Sequence, residues 1–331
     1  MSARPTETAG SVSAPDVSGS LLERRLLFVT GKGGVGKTTV SAALALLGAR
    51  SGRRTLVCEV DAKGTLAAAY ETGRLAFEPR QLEDRLFAMA MNTEDSLREY
   101  VGLQLRVPLL ARVRPLARTL DFVATAAPGV REILTVGKLC YEVREEHYDL
   151  VVVDAVATGH IIGQLTAPQA IQELVHVGVV SDQTRWMRTI LEDPVLTGLI
   201  IVTTTEEMPV VETIELASRV HDETKVELAA VVVNRVLPEL FGRAEEDVFD
   251  RLRGAEPSAR LRAEAGPGVH EVFDAAELAV SLRRRRTEYL AALRDALPPS
   301  LPMLFVPELF ARATGMRATS QVASALAEEL S

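Results

Sequence analysis

Short runs of consecutive apolar residues, each followed by a stretch of helical periodicity, punctuate this 331-residue chain. The runs are Arg25–Thr30 (RLLFVT), Arg53–Asp61 (RRTLVCEVD), Tyr148–Asp154 (YDLVVVD), Thr197–Thr204 (TGLIIVTT) and Leu228–Arg235 (LAAVVVNR). Leu86–Met91 and Pro302–Pro307 are shorter candidates of the same kind. Strands that are apolar throughout, rather than alternating, are buried on both faces, as in parallel sheets. Helices are expected over Val40–Leu47, Val130–Arg144, Val210–Val220 and Val322–Leu330. Strand and helix in alternation predict an α/β fold, a mostly parallel sheet with helices on both faces. Leu174–Val180 is apolar but fits neither class clearly.

Two regions break this rhythm. Residues 62–127 alternate polar and apolar segments, mostly helical in pattern. Within them Leu103–Ala127 interleaves leucines with basic residues and is interrupted by Pro108 and Pro115. That pattern fits helices packed on the sheet, and it also fits an apolar surface for a partner or lipid-like client. Residues 242–295 read as charged helices. Their Arg283–Arg286 run fits a solvated face or a contact with an acidic or membrane surface. The expected layout is a disordered leader over 1–20, rich in Ser, Ala, Thr, Pro and Gly, then one domain over 21–331. That domain carries a helical subdomain at about 65–145 and a charged helical stretch at about 242–290.

Composition narrows the classes. The net charge of −8 argues against a broad nucleic-acid surface. The two cysteines, Cys58 and Cys140, lie far apart, which argues against a structural zinc site or a disulfide framework. No stretch reaches the apolar length of a membrane span, so a cytoplasmic location is expected, with at most peripheral membrane contact.

The chemistry concentrates between the first strand and the first helix. Gly31-Lys32-Gly33-Gly34-Val35-Gly36-Lys37-Thr38-Thr39 satisfies G-x-x-x-x-G-K-[ST] in the strand–turn–helix context a phosphate loop requires. Backbone N–H groups over Gly31–Thr39 can cradle phosphate, Lys37 can reach the β and γ phosphates, and the Thr38 hydroxyl can ligate Mg²⁺. The expected ligands are ATP or ADP with Mg²⁺. A tight strand–helix turn with no nucleotide is the bland alternative. Asp61 ends the second strand, where ligands of parallel sheets sit, or it caps the next turn. Asp154 ends the third and is placed to hold Mg²⁺ through water. Gly159 can bring an N–H to a γ-phosphate, and His160 senses nucleotide or caps a helix. Asn234, at another strand end, offers donor and acceptor to an adenine edge or caps a turn.

The loop resembles the deviant Walker A motif, GKGGVGKTT, of MinD, ParA, the nitrogenase iron protein and ArsA-type ATPases. Three further stretches resemble the ArsA type, the arsenite-pump and tail-anchored-protein-targeting ATPases. YDLVVVDAVATGH at Tyr148–His160 is similar to that family's YDxxxxDTAPTGH. TTTEEMPVVET at Thr203–Thr213 is similar to its strand-to-helix stretch ending in Glu-Thr, and Pro307 matches a proline that frames the nucleotide. The resemblance covers about residues 24–315 and implies a P-loop NTPase of the SIMIBI type.

It further implies that Lys32 is a signature lysine reaching the phosphates of a facing subunit. The protein would then be a homodimer, or a heterodimer with a related ArsA-like chain as in paired actinobacterial ATPases. In a tight loop already holding Lys37, Lys32 needs compensating negative charge. Nucleotides facing one another across a dimer would supply it. Asp61 stands where the family polarises the attacking water, Asp154 and Gly159 match its second switch, and Asn234 its adenine reader. Departures fall on both switches: Ala62-Lys63-Gly64 replaces Pro-Ala-His after Asp61, and Ala155-Val156-Ala157 replaces Thr-Ala-Pro after Asp154. The function implied is Mg²⁺-dependent ATP hydrolysis driving dimer opening and closing, for a hydrophobic client or a transport partner. A nucleotide-binding regulatory subunit with weak hydrolysis and a ParA- or MinD-like positioning ATPase are the alternatives.

Overall fold

A computed structural model of the chain describes residues 21–331 apart from 62, 93–94, 97–98, 100–128, 175, 178, 238–241, 267 and 310–312. The leader at 1–20 and the Leu103–Ala127 segment therefore lie outside the described residues.

Eight strands form one sheet: β1 Leu26–Thr30, β2 Thr55–Glu59, β3 Arg80–Glu83, β4 Leu86–Ala90, β5 Leu150–Asp154, β6 Thr197–Thr204, β7 Leu228–Val236 and β8 Met303–Pro307. Their spatial order is β3-β4-β2-β5-β1-β6-β7-β8. Every neighbouring pair is parallel except β3 with β4. Alternate side chains of each strand feed two apolar layers. Leu27 and Val29 point into one layer with Val57, Val152 and Val202, covered by helices α1 (Lys37–Arg50) and α10 (Gly315–Glu329). Leu26 and Phe28 point into the other. That layer is covered by α3 (Val130–Arg144), α4 (Thr158–Leu174), α5 (Val179–Leu191) and α6 (Glu207–Glu223). A short α2 (Thr65–Ala69) follows β2, and α7 (Arg243–Leu252), α8 (Ala255–Ala265) and α9 (Val269–Ala296) separate β7 from β8.

The sheet departs from sequence expectation in instructive places. In the segment at about 65–145 the unexpected strand is β3, which forms a hairpin with β4; β4 itself falls on the Leu86–Met91 candidate and pairs with β2. In the Leu174–Val180 run, Leu174 ends α4 and Val179 opens α5, and Leu174 and Val177 are exposed. Helix α6 begins at Glu207, three residues ahead of expectation, because Pro209 falls in its first turn, where a missing N–H costs nothing. The Arg283–Arg286 run is not simply solvated. Arg286 Nη1 donates to the Arg235 carbonyl at 3.3 Å, and Arg284 lies 3.9 Å from Asp250. Between α7 and α9 an apolar recess of about 380 Å³ is lined by Val248, Phe249, Leu252, Val272, Phe273 and Ala276.

Helix α1 lies close against the sheet because Gly48 has no side chain. A Cβ there would come within 2.7 Å of Leu150 Cδ2 and 2.9 Å of Thr55 Oγ1. Val40 and Ala42–Leu46 of this helix are fully buried, so it has little room to retreat. Gly48→Leu should lower the free energy of unfolding by about 1–3 kcal/mol through overpacking. Urea denaturation checks this; an unchanged midpoint would show that the helix can shift outward.

Candidate nucleotide site

Strand β1 is the switch point of the sheet. The chain leaves it toward β2 on one side, and after β5 it crosses β1 to β6 on the other. The two connections diverge at the carboxyl end of β1, leaving the crevice in which ligands of such sheets bind. The loop Gly31–Gly36 occupies that end. Gly31 (φ +150°) is required because a Cβ would overlap the Val202 carbonyl, and Gly36 (φ +95°) because one would overlap the Asn234 amide. Val35 is buried and anchors the loop, while Gly33 and Gly34 are exposed. No side chain caps α1, so the first-turn N–H groups, including those of Lys37, Thr38 and Thr39, are left to an anion.

Behind the loop the Thr38 hydroxyl donates to Asp154 Oδ2 at 2.7 Å, and Ser41 Oγ lies 3.4 Å from Oδ1. Asp154 is 6% exposed. Burial pushes its carboxyl up to about 6, against the pull of Thr38 and Lys37, and nearby Glu59 pushes it further the same way. Lys37 Nζ donates to the Lys32 carbonyl at 3.2 Å, and burial holds its ammonium below the usual lysine range. A hydroxyl and an under-compensated carboxylate facing an anion cradle suit a small hard cation that keeps water and phosphate ligands, which is the chemistry of Mg²⁺. Among the described residues no group of three or more His, Cys, Asp or Glu could hold a metal alone.

Asp61 lies just beyond β2, close enough for its charge to act on Lys37. Its Oδ2 accepts from Lys63 Nζ at 3.1 Å, and Arg131 of α3 stands 3.7 Å from Oδ1. Glu59, which sequence reasoning passed over, is 2% exposed and braces this loop. Its carboxylate accepts the Gly64 N–H (3.2 Å), the Thr65 N–H (2.9 Å) and the Thr65 hydroxyl (2.7 Å). Thr65 Oγ1 in turn lies 3.3 Å from Thr38 Oγ1. The available signal was an acid inside the otherwise apolar Leu56–Val60 run.

Two expected residues have different neighbours from those anticipated. The charge compensating Lys32 comes from within the chain: its ammonium pairs with Glu212 of α6, whose other oxygen accepts from Thr158 at 3.2 Å. Asn234 Nδ2 donates to the Val35 carbonyl at 2.8 Å, and its Oδ1 accepts the Arg235 N–H at 2.9 Å, so the amide braces the loop. Gly159 and His160 lie exposed in the first turn of α4, with open space around Gly159. Pro307 ends β8, paired with Val236 two residues past Asn234.

The raised carboxyl of Asp154 has a sign that can be checked. Stability owed to its neutral form is complete below the ordinary value of 3.8 and is lost as pH rises through about 6. In metal- and nucleotide-free protein, Asp154→Asn should therefore be more stable than wild type by up to about 3 kcal/mol near neutral pH. The advantage should shrink as pH falls through about 6 and be gone below the ordinary value of 3.8. Chemical unfolding at a series of pH values measures it, and a difference independent of pH would contradict the assignment.

Comparison with known proteins agrees with this geometry. The model of the anion-transporting ATPase family, the ArsA ATPases, matches residues 24–180 and 176–254. ATPase BagA of Mycobacterium tuberculosis is 31% identical over 225 residues, covering 65% of this chain and 66% of the relative. A Halobacterium salinarum protein carrying the name of an arsenical pump-driving ATPase is 28% identical over 295 residues, covering 82% and 44%. An ASNA1-homolog ATPase of Babesia bovis is 24% identical over 304 residues, covering 81% of each. The chain thus spans about two thirds of the mycobacterial relative and less than half of the halobacterial one. The phosphate loop, Asp61, Asp154 and strands β1 to β7 all lie within the matched residues, and the chain belongs to the anion-transporting ATPase family.

Proposed function

We propose that this protein is a Mg²⁺-dependent ATPase that hydrolyses the β–γ bond of ATP and uses the nucleotide cycle to open and close a dimer. The observation that carries the reading is the Thr38–Asp154 hydrogen bond beside Lys37, behind an uncapped helix end at the sheet's switch point. The loop N–H groups from Gly31 to Thr39 and the Lys37 ammonium bind the phosphates. Thr38, and Asp154 through water, would hold Mg²⁺, which when bound would supply neutralisation of phosphate charge. Asp61 orients the attacking water and accepts its proton. Gly159 offers an N–H near the γ-phosphate, while Asn234 and Pro307 frame the base. ADP and phosphate are the products.

The dimer would be formed with a second copy or with a related ArsA-like chain, Lys32 of each subunit reaching the nucleotide of the other. The recess between α7 and α9 supports a hydrophobic protein or lipid client. Arsenite is a poor fit, because Cys58 and Cys140 are both buried and burial pushes both thiols far up. Among the described residues no helix is long and apolar enough to cross a membrane, so we assign work in the cytoplasm with at most peripheral membrane contact. A regulatory subunit with weak hydrolysis is the second reading, favoured by one observation: both oxygens of Asp61 face cations.

Asp61→Asn separates the two. It should leave ATP binding intact and slow single-turnover hydrolysis by about two to four orders of magnitude, the span of a lost general base. Hydrolysis that is already negligible in wild type would favour the regulatory subunit.

The dimer is tested by Lys32. Lys32→Ala should bind ATP yet lose most turnover, because the contact forms only on closure. Mixed with Asp61→Asn chains it should regain part of the activity. Each mixed dimer then has one site with both its own Asp61 and its partner's Lys32. No recovery on mixing would place Lys32 in the service of its own chain.

A further inference from the structure

The loop after β2 carries a cation that the phosphate-loop motif does not call for. Lys63 is held by its ammonium at 3.1 Å from Asp61 Oδ2, yet its side chain is 70% exposed. It is therefore free to move on its four-carbon stem. The base of this loop is fixed. Gly64 takes a left-handed conformation (φ +79°), and Glu59 accepts the Gly64 and Thr65 N–H groups and the Thr65 hydroxyl. Thr65 lies 3.3 Å from Thr38. A residue two positions before Thr65 is thus tethered at the rim of the phosphate crevice with only its side chain mobile. The Lys63 charge is near enough to act on the Lys37 ammonium, adding to the larger effect of burial in pushing it down.

We propose that Lys63 is a γ-phosphate-responsive cation: it holds Asp61 when no triphosphate is bound and transfers to the γ-phosphate when ATP enters, freeing Asp61 for the attacking water. The proposal rests on the reading of the site as an ATPase and adds a residue to it. The exchange conserves charge pairing. Lys63 trades one carboxylate oxygen for phosphate oxygens of greater negative charge, and Asp61 keeps Arg131 at 3.7 Å as its neighbour. Only a triphosphate carries a γ-phosphate to compete with Asp61, so ADP should leave the Lys63–Asp61 pair in place. The exposed pair is weak enough to be surrendered, because solvent screens it. A contact with the γ-phosphate would be a charge-assisted hydrogen bond to a more highly charged partner.

The test is nucleotide discrimination. Titration calorimetry with Mg²⁺ compares the β,γ-imido analogue of ATP with ADP on wild type, Lys63→Ala and Lys63→Arg. Lys63→Ala should bind the triphosphate about tenfold more weakly and ADP within about twofold of wild type. Lys63→Arg should recover most of the difference, because the cation is restored. An unchanged triphosphate-to-diphosphate ratio in Lys63→Ala would overturn the proposal, as would turnover that rises when Lys63 is removed, the mark of a lysine that only blocks Asp61. A wild-type chain that binds neither nucleotide would defeat the ATPase reading itself. Wild type that binds both, with the ratio unmoved by Lys63→Ala, defeats the role of Lys63 alone.

Discussion

Two buried carboxylates stand side by side at the carboxyl ends of adjacent strands. Glu59 of β2 and Asp154 of β5 are register partners, and each is almost fully buried. Neither can be left unsatisfied in so dry a place, and each repels the other. Their solutions differ, and the difference organises the site. Glu59 is satisfied internally, by backbone N–H groups and the Thr65 hydroxyl, which fixes the loop carrying Asp61 and Lys63. Asp154 receives the Thr38 hydroxyl, has Ser41 Oγ at 3.4 Å and feels the Coulombic pull of Lys37, yet burial still pushes its carboxyl up. One acid builds the wall of the site, and the other is left in want of a cation.

The phosphate loop depends on the same economy of space. Gly31 and Gly36 sit where the β6 backbone and the Asn234 amide leave no room for a side chain. The loop is gripped from behind by β6 and β7 while its face stays open. Helix α1, drawn down on the sheet at Gly48, holds the other end of the cradle. The cradle is thereby built into rigid elements, while Lys32 and Lys63 beside it each pair with a carboxylate, Glu212 and Asp61.

The central strands were legible because they are buried on both faces. β1, β2, β5, β6 and β7 are apolar runs that no helix face or solvated edge would tolerate. The phosphate loop was legible because its glycine and lysine spacing is dictated by contact geometry. β3 was not: Arg-Gln-Leu-Glu is polar and mostly exposed, which suits an antiparallel edge strand and resembles a helix surface. The helical expectation for its region failed for that reason. Glu212 could be read as part of a Glu-Thr stretch, but nothing local says that its carboxylate meets Lys32, 180 residues away in the chain. Asn234 was placed correctly at a strand end, yet its amide grips the loop through Val35, a contact that exists only once β7 lies beside the loop's rear.

Those long-range pairs change how the dimer reading must be argued. Repulsion between Lys32 and Lys37 does not by itself demand a second nucleotide, since Glu212 already balances Lys32. What Glu212 adds is a link, because its other oxygen holds Thr158 at the start of α4. Moving Lys32 to any other anion leaves Glu212 with Thr158 alone, and a half-buried carboxylate stripped of its cation is under pressure to find another partner. Lys32 and the first turn of α4 are therefore not independent. An anion that draws Lys32 away from α6 also alters what holds Thr158. A facing nucleotide would thus act on the closure contact and on the segment bearing Gly159 in one step, through side chains that this chain already holds together.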